Sequence, residues 1–488
     1  MSLDLSINSS RDLTLELCTF LSNLTLSDLP ADLIHMAKAS ILNSIGCGLS
    51  SSPSSLPAAA ILYKAIDPLS KAPRHATVLG MHERATVDDA ALLNGMSMTA
   101  RFYDDTHLST LVHPSGPPLA AILAFAEVNG LSGQDVLLSF IVGVETGLSI
   151  ANALGLGPYK RGWHMTSIVG SFAAASAVAK LMKLDAQGMA TALGHASSMT
   201  SGSRNVFATD TLIMHAGRAA QNGILAARLA REGFGSTTHA VEKWINLISS
   251  TAEGTDVGRI VDSLDAKQGE RSWLIMENAF KPYPCGIVIH PLIDAGIEAH
   301  KYFFKDGQSP LLHKKPDDAL DTFTRIEATV TPMTIRLCGV QQPKKFMDII
   351  FSSHHGLAVG LIYGKGGIRE YSEGVANDPL IVGLRDRVAL VPDEVVQDDQ
   401  TSVKFWYIAA DGTEQVKEIR VEHALGSLKN PMTDEQLNAK YADQAVEGRL
   451  SEADIRKSIA QCWAMDEIPN VQTFMRLLVP EPGPGSSS

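Results

Sequence analysis

Three stretches of this chain leave it few ways to fold. LAAILAFAEVNG (119–130), VLLSFIVGVETGLSIANAL (136–154) and SIVGSFAAASAVAKLMKL (167–184) are apolar on all sides at helical spacing and rich in Gly, Ala and Ser. A helix that is apolar all round must be covered on several sides, and small residues let neighbouring backbones approach closely. Together they predict a compact bundle, and apolar spacing stays mostly helical from residue 10 to about 255. At 488 residues the chain is too long for a single core, so two domains are expected. No uninterrupted apolar run of about 18 residues occurs, so no membrane span is expected.

The pattern changes after about residue 280. IEATVTP (326–332), DRVALVPDE (386–394) and SVKFWYIAADGTEQVKEIRVEH (402–423) carry β-branched and aromatic residues, and Asp411-Gly412 sits between two alternating runs as a hairpin signal. Between them, SSHHGLAVGLIYG (352–364) has helical spacing. From Asn430 onward the pattern is again that of amphipathic helices, with Thr433 and Ser451 as N-caps. The expected fold is mainly α: a large all-helical domain built discontinuously from 1–281 and 424–488, and a smaller α/β domain over 282–423.

Composition excludes several function classes. With hydrophobic residues at 45% and charged residues at 19%, the chain has the make-up of a folded protein and not of a disordered one. A net charge of −12 argues against nucleic acid or an anionic membrane as partner. The five cysteines, Cys18, Cys47, Cys285, Cys338 and Cys462, are scattered and lack CxxC spacing, so neither a disulfide framework nor a zinc site is signalled, and a reducing cytoplasm fits best. The N-terminus has no basic segment followed by an apolar one, and PEPGPGSSS ends the chain as a low-complexity tail. No P-loop, GxGxxG after a strand or GxSxG elbow occurs.

Four segments place histidine or lysine in polar company. In ARFYDDTHLSTLVHPSGPPLAAIL (100–123), Ser115 or Gly116 can cap a helix whose first turn carries Pro117 and Pro118, which puts His113 just before a positive helix end. That position disfavours imidazolium and suits a base near neutral pH, or an anion-binding corner. In the competing structural reading, Asp104, Asp105 and Thr106 tie down a loop and His113 bonds to backbone. In KRGWHMTS (160–167), His164 follows Trp163 at the mouth of a second apolar helix, either as a partner of His113 in one pocket or as a core-edge histidine satisfying a carbonyl. TLIMHAGRAAQNG (211–223), with His215 and Arg218, reads as a loop running into a packing helix. In AFKPYPCGIVIHP (279–291), two prolines stiffen a linker that holds Lys281 beside Tyr283. Lys281 suits a carboxylate clamp, although a lysine so placed is more often a solvated surface residue, and Cys285 is a weak thiolate candidate.

Taken together with ILNSIGCGLSSS (41–52) and ALGSLKNPMTDEQLNAKY (424–441), these segments resemble the MmgE/PrpD family, which includes 2-methylcitrate dehydratases and cis-aconitate decarboxylases, over nearly the whole chain. The resemblance implies a helical domain built from both chain ends, a smaller α/β lid, a homodimer, and a site in the cleft between domains without metal or organic cofactor. It implies proton abstraction and delivery on small polycarboxylates, with loss of water or carbon dioxide. The family's two site histidines fall on His113 and His164, its threonine on Thr106 and its linker lysine on Lys281. Several positions depart from the family pattern. Phe102 stands where an acid is common, and Leu212 and Ile213 stand for a lysine and an arginine. Ile350 stands for a lysine, and His355 for a tyrosine.

Up to three cations and one acid are thus replaced by apolar groups around the implied pocket, by Leu212, Ile213, Ile350 and Phe102. A carboxylate buried without a cation costs several kcal/mol, so a substrate less charged than citrate or cis-aconitate is expected. The leading expectation is a lyase or isomerase that uses His113 and His164 as acid–base pair. Lys281 would act as clamp and Thr106, Asp104 and Asp105 as organisers, with Phe102, Trp163, Leu212, Ile213, Tyr283, Ile350 and His355 shaping the substrate site. Dehydration is preferred to decarboxylation. The alternatives are a family scaffold that isomerises or cyclises a mostly apolar intermediate in secondary metabolism by preorganising its conformation, and an inactive member serving as a binding or partner subunit.

Overall fold

A computed structural model describes residues 11–66, 75–249, 254–266, 271–304 and 321–480. The first ten residues and nearly all of the PEPGPGSSS tail lie outside them. Contacts divide the chain into two compact units, one of Met1–Ala100, Asp104–Ala279 and Thr433–Ser488, the other of Arg101–Tyr103 and Phe280–Met432. The fold is mainly helical.

The core of the first unit is built from α1 (Ala31–Ser50), α2 (Val87–Thr99), α3 (Gly116–Asn129), α4 (Gly133–Leu154), α5 (Met165–Leu181) and α6 (Asp210–Arg231). Helix α6 packs on α5 and α2, α4 on α5, and α3 on both α2 and α5. The small residues permit these approaches. A Cβ added to Gly217 of α6 would lie 2.0 Å from the Leu92 carbonyl oxygen of α2, and one added to Gly95 of α2 would lie 2.7 Å from Gly217 Cα. The HAGRAA segment is therefore a close backbone crossing. Among the described residues, α4 is the one helix long and apolar enough to cross a membrane (mean hydropathy 1.6), but 89% of its most apolar window is buried within the fold.

Two sequence expectations for this unit are corrected. Thr211–Met214 are not loop: α6 begins at Asp210, preceded by an extended Thr209, and the acid in its first turn complements the helix dipole. Nor is the unit purely helical. Ala76–Thr77 pairs with Arg84–Ala85 as a small antiparallel ribbon, pinned where Glu127 accepts hydrogen bonds from Thr77 N (2.7 Å) and Oγ1 (2.8 Å). The C-terminal helices start where expected, Thr433 Oγ1 accepting from Gln436 N at 3.2 Å and Ser451 Oγ from Asp454 N at 3.1 Å.

The second unit holds a four-stranded sheet in the order β2-β1-β3-β4, with β1 Phe323–Val330, β2 Val388–Pro392, β3 Thr401–Ile408 and β4 Glu414–Val421. Strand β1 runs parallel to β2 and antiparallel to β3. Strands β3 and β4 form the hairpin at Asp411-Gly412, Gly412 taking a φ of +80° that glycine tolerates best. Thr401, Val403 and Phe405 alternate into the core. That core also takes up helices α7 (His290–Phe303) and α8 (Ser353–Tyr363), which pack tightly on each other through Gly296 and Gly360.

Candidate active site

Within the first unit, the N-termini of α3 and α5 converge on His113 and His164. Ser115 occupies the N-cap position of α3 without capping it, because its hydroxyl donates instead to Asp105 Oδ2. Asp105 is fully buried and also accepts from Asn278 Nδ2, so its side chain braces three separate segments. Burial pushes its carboxyl up to about 6 against the lowering effect of those two hydrogen bonds. Leu111 takes a left-handed φ of 55°, and His107 N donates to Val112 O at 2.8 Å, closing the turn that presents His113.

His113 is held through both its backbone and its ring. Its backbone N–H donates to Thr166 Oγ1 at 2.9 Å, tying it to the first turn of α5. Its Nδ1 lies 2.8 Å from the Asp105 carbonyl oxygen and 3.1 Å from Thr106 Oγ1, with Asp104 Oδ2 at 3.6 Å. A carbonyl only accepts, so neutral His113 carries its proton on Nδ1 and presents Nε2 as its basic nitrogen. The backbone bond of the competing structural reading is thus present, and it sets the tautomer.

His164 is the N-cap residue of α5, its N–H bonded to Gly202 O at 3.0 Å. Its ring meets Phe207 edge-on at 5.4 Å, and its Nδ1 is 3.0 Å from Nδ1 of His215 on α6. Burial holds His164 well below its ordinary pKa, and positive charge on His113, His215 or Arg204 would lower it further. Burial also lowers His215. Trp163 is half-buried beside this pair and bridges to Ser203, while Arg204 lies over the Tyr159 ring at 3.7 Å. Gly202 has a φ of +120°, and a Cβ there would sit 2.2 Å from Ser167 Oγ, so only glycine fits over the histidines.

The substituted positions on α6 differ in what they face. Leu212 and Ile213 are both buried. Leu212 stands three residues before His215, hence on the same face of the helix one turn earlier, whereas Ile213 is turned to another face. Arg218 is exposed and bonds Gln221.

The remaining sequence candidates belong to the second unit. Lys281 is buried there, 3% exposed, and not a solvated surface lysine. Phe102 holds a left-handed φ of 53° and packs edge-on against Phe351 at 5.3 Å. The Tyr283 hydroxyl donates to Asp294. Ile350 and His355 are completely buried, and His355 Nε2 donates to Glu370 O at 2.9 Å, with burial lowering its pKa to about 4. Burial pushes the Cys285 thiol up to about 12, which removes it as a thiolate.

Sequence reading thus placed Asp104, Asp105, Thr106, His113 and His164 in one constellation but missed His215, Thr166 and Gly202 as their immediate partners. Among the described residues, one group of ligand-type atoms lies within 4.8 Å, Asp12, His239 and Glu242, and it is satisfied by His239 lying 3.3 and 3.2 Å from the two carboxylates.

The N-terminal domain of the MmgE/PrpD family matches residues 15–259, and its C-terminal domain matches 283–465. The chain belongs to the MmgE/PrpD family. It is 26% identical to a cis-aconitate decarboxylase of Aspergillus terreus over 96% of each chain, and 25% identical to that of Mus musculus over 80% of this chain and 78% of the relative. A cis-aconitate decarboxylase-like protein, oryM, of Aspergillus oryzae is 35% identical over 46% of this chain, a match that spans about half (48%) of that relative's length.

Proposed function

We propose that this family member is a lyase of acid–base type that moves a carbon-bound proton beside the carboxylate or carbonyl of a small organic acid less charged than cis-aconitate. The observation that carries this reading is the convergence of His113 and His164 at two helix N-termini. His113 is held with Nε2 as its basic nitrogen, and His164 is held well below its ordinary pKa. His113 thus offers a free basic nitrogen, and the depressed His164 stays neutral and able to accept a proton. Thr106 and Asp105 orient the first histidine, and Lys281 is the candidate carboxylate clamp.

Leu212, buried one turn from His215, supports the lower substrate charge, since the family commonly places a lysine at this point. The relatives' names make carbon dioxide one candidate leaving group. Water is preferred here because a tricarboxylate would need cations at the positions that Leu212, Ile213 and Ile350 occupy. The protein is proposed to act as a homodimer, checked by light scattering.

The test is turnover of 2-alkylcitrates, cis-aconitate and less charged unsaturated or hydroxy acids, with Leu212→Lys alongside. The expected result is preference for the less charged acids, with Leu212→Lys raising kcat/KM for cis-aconitate about 10-fold or more, the worth of one charge-assisted hydrogen bond. Efficient wild-type turnover of cis-aconitate, unchanged by Leu212→Lys, would overturn the argument from lost cations.

A further inference from the structure

We propose that His215 is a positioning residue behind His164 that receives the proton leaving the far side of its ring, so that the two imidazoles work as one acid–base unit. This rests on the acid–base reading above.

The two Nδ1 atoms face each other at 3.0 Å. One must donate and the other accept, so the tautomers are locked in opposition: with His164 as donor, its Nε2 is basic, while His215 presents a bare Nδ1 and carries its own proton on Nε2. When His164 Nε2 takes a proton from the substrate carbon, the C–H electron pair stays on that carbon. The Nδ1–H of His164 passes to Nδ1 of His215. His164 ends neutral, with its proton moved from Nδ1 to Nε2, and His215 becomes the imidazolium. The reverse transfer returns the proton in the protonation step.

The surroundings favour this direction. Charge on His164 is opposed by burial and by the neighbouring His113 and Arg204, whereas His215 is lowered by burial alone. Gly202 brings backbone over the pair, a Cβ there lying 3.4 Å from His215 Nδ1, so residue 202 itself adds no side chain beside the Nδ1–Nδ1 bond. Helix α6 is clamped to α2 at Gly217, two residues beyond His215, which fixes the backbone that carries the second ring.

The experiment combines a spectrum with kinetics on the full chain. In the 15N-histidine-labelled protein, one downfield ring proton should correlate with two Nδ1 nitrogens. In His215→Asn, the amide oxygen can still accept from His164 but cannot take a proton, so the second correlation disappears. On whichever acid is turned over, His215→Asn and His215→Ala should both lose about tenfold or more in kcat with KM little changed, and the acid limb of the kcat profile should move. Rescue of kcat by His215→Asn to within about twofold of wild type would make His215 an orienting side chain only and overturn the proposal. Melting curves of both variants separate loss of fold from loss of proton transfer. If no acid is turned over, the functional reading fails, and the spectrum alone then decides the pair: a shared proton supports it and two independent rings overturn it.

Discussion

Replacing Asp105 with Asn should make the helical unit more stable as pH rises. The carboxyl is fully buried, and burial raises its pKa from 3.8 to about 6. The unfolded chain ionises this group near 3.9. Because the folded state binds the proton more tightly, ionisation opposes folding. The penalty is absent below about pH 4, builds between the two pKa values and is complete above 6. Two pKa units at 1.36 kcal/mol each give about 3 kcal/mol. Asp105→Asn removes the charge while its amide oxygen can still accept from Ser115 and Asn278. For a unit of roughly 330 residues, about 3 kcal/mol corresponds to a shift of about 4 °C in melting temperature. Calorimetry of both proteins at pH 4 and pH 7.5 should show the variant gaining by this amount on the wild type. A melting difference that stays constant between the two pH values would refute the reasoning, since it would mean that Asp105 ionises alike in the folded and unfolded chains.

Three further outcomes are expected. Gly217→Ala sets a Cβ 2.0 Å from the Leu92 carbonyl oxygen, so α2 and α6 must part, lowering stability by about 1–3 kcal/mol in thermal unfolding. Thr166→Val leaves the His113 N–H without its acceptor, which costs about 1–3 kcal/mol and lowers kcat as the histidine loses its anchor; unchanged stability and turnover would remove Thr166 from the site. A depressed His164 stays neutral as the pH falls, so the acid limb of the kcat/KM profile should lie below the ordinary histidine pKa of about 6.5, and a limb at or above that value would assign the base elsewhere.

What the sequence disclosed was what local chemistry decides. The strands of the second unit, the Asp411-Gly412 hairpin, the helix over 353–363 and the caps at Thr433 and Ser451 follow from alternation, turn residues and short polar side chains. The prolines after Ser115 gave the helix start beside His113. His215 stayed hidden because its partner lies 51 residues away and the segment around it is built for packing. Nothing in its spacing distinguishes a histidine facing another ring from one filling a core. The expected loop before it failed for a related reason: Thr211–Met214 carry no start signal of their own, which lies just upstream in Asp210 and the extended Thr209. Phe102 and Tyr103 group with the second unit because Tyr103 reaches the Pro282 carbonyl, a pairing across 179 residues that no local pattern encodes.

The crossing of α2 and α6 at Gly95 and Gly217 fixes more than packing. With backbone against backbone, neither helix can slide or tilt to suit a new ligand. Helix α6 is therefore a rail of set height, and chemistry can change only through the side chains that ride on it. Leu212 and His215 occupy successive turns of one face of that rail. A charge introduced at the first position would be felt by the ring at the second, so in this chain the choice of substrate and the readiness to accept a proton are bound to evolve together.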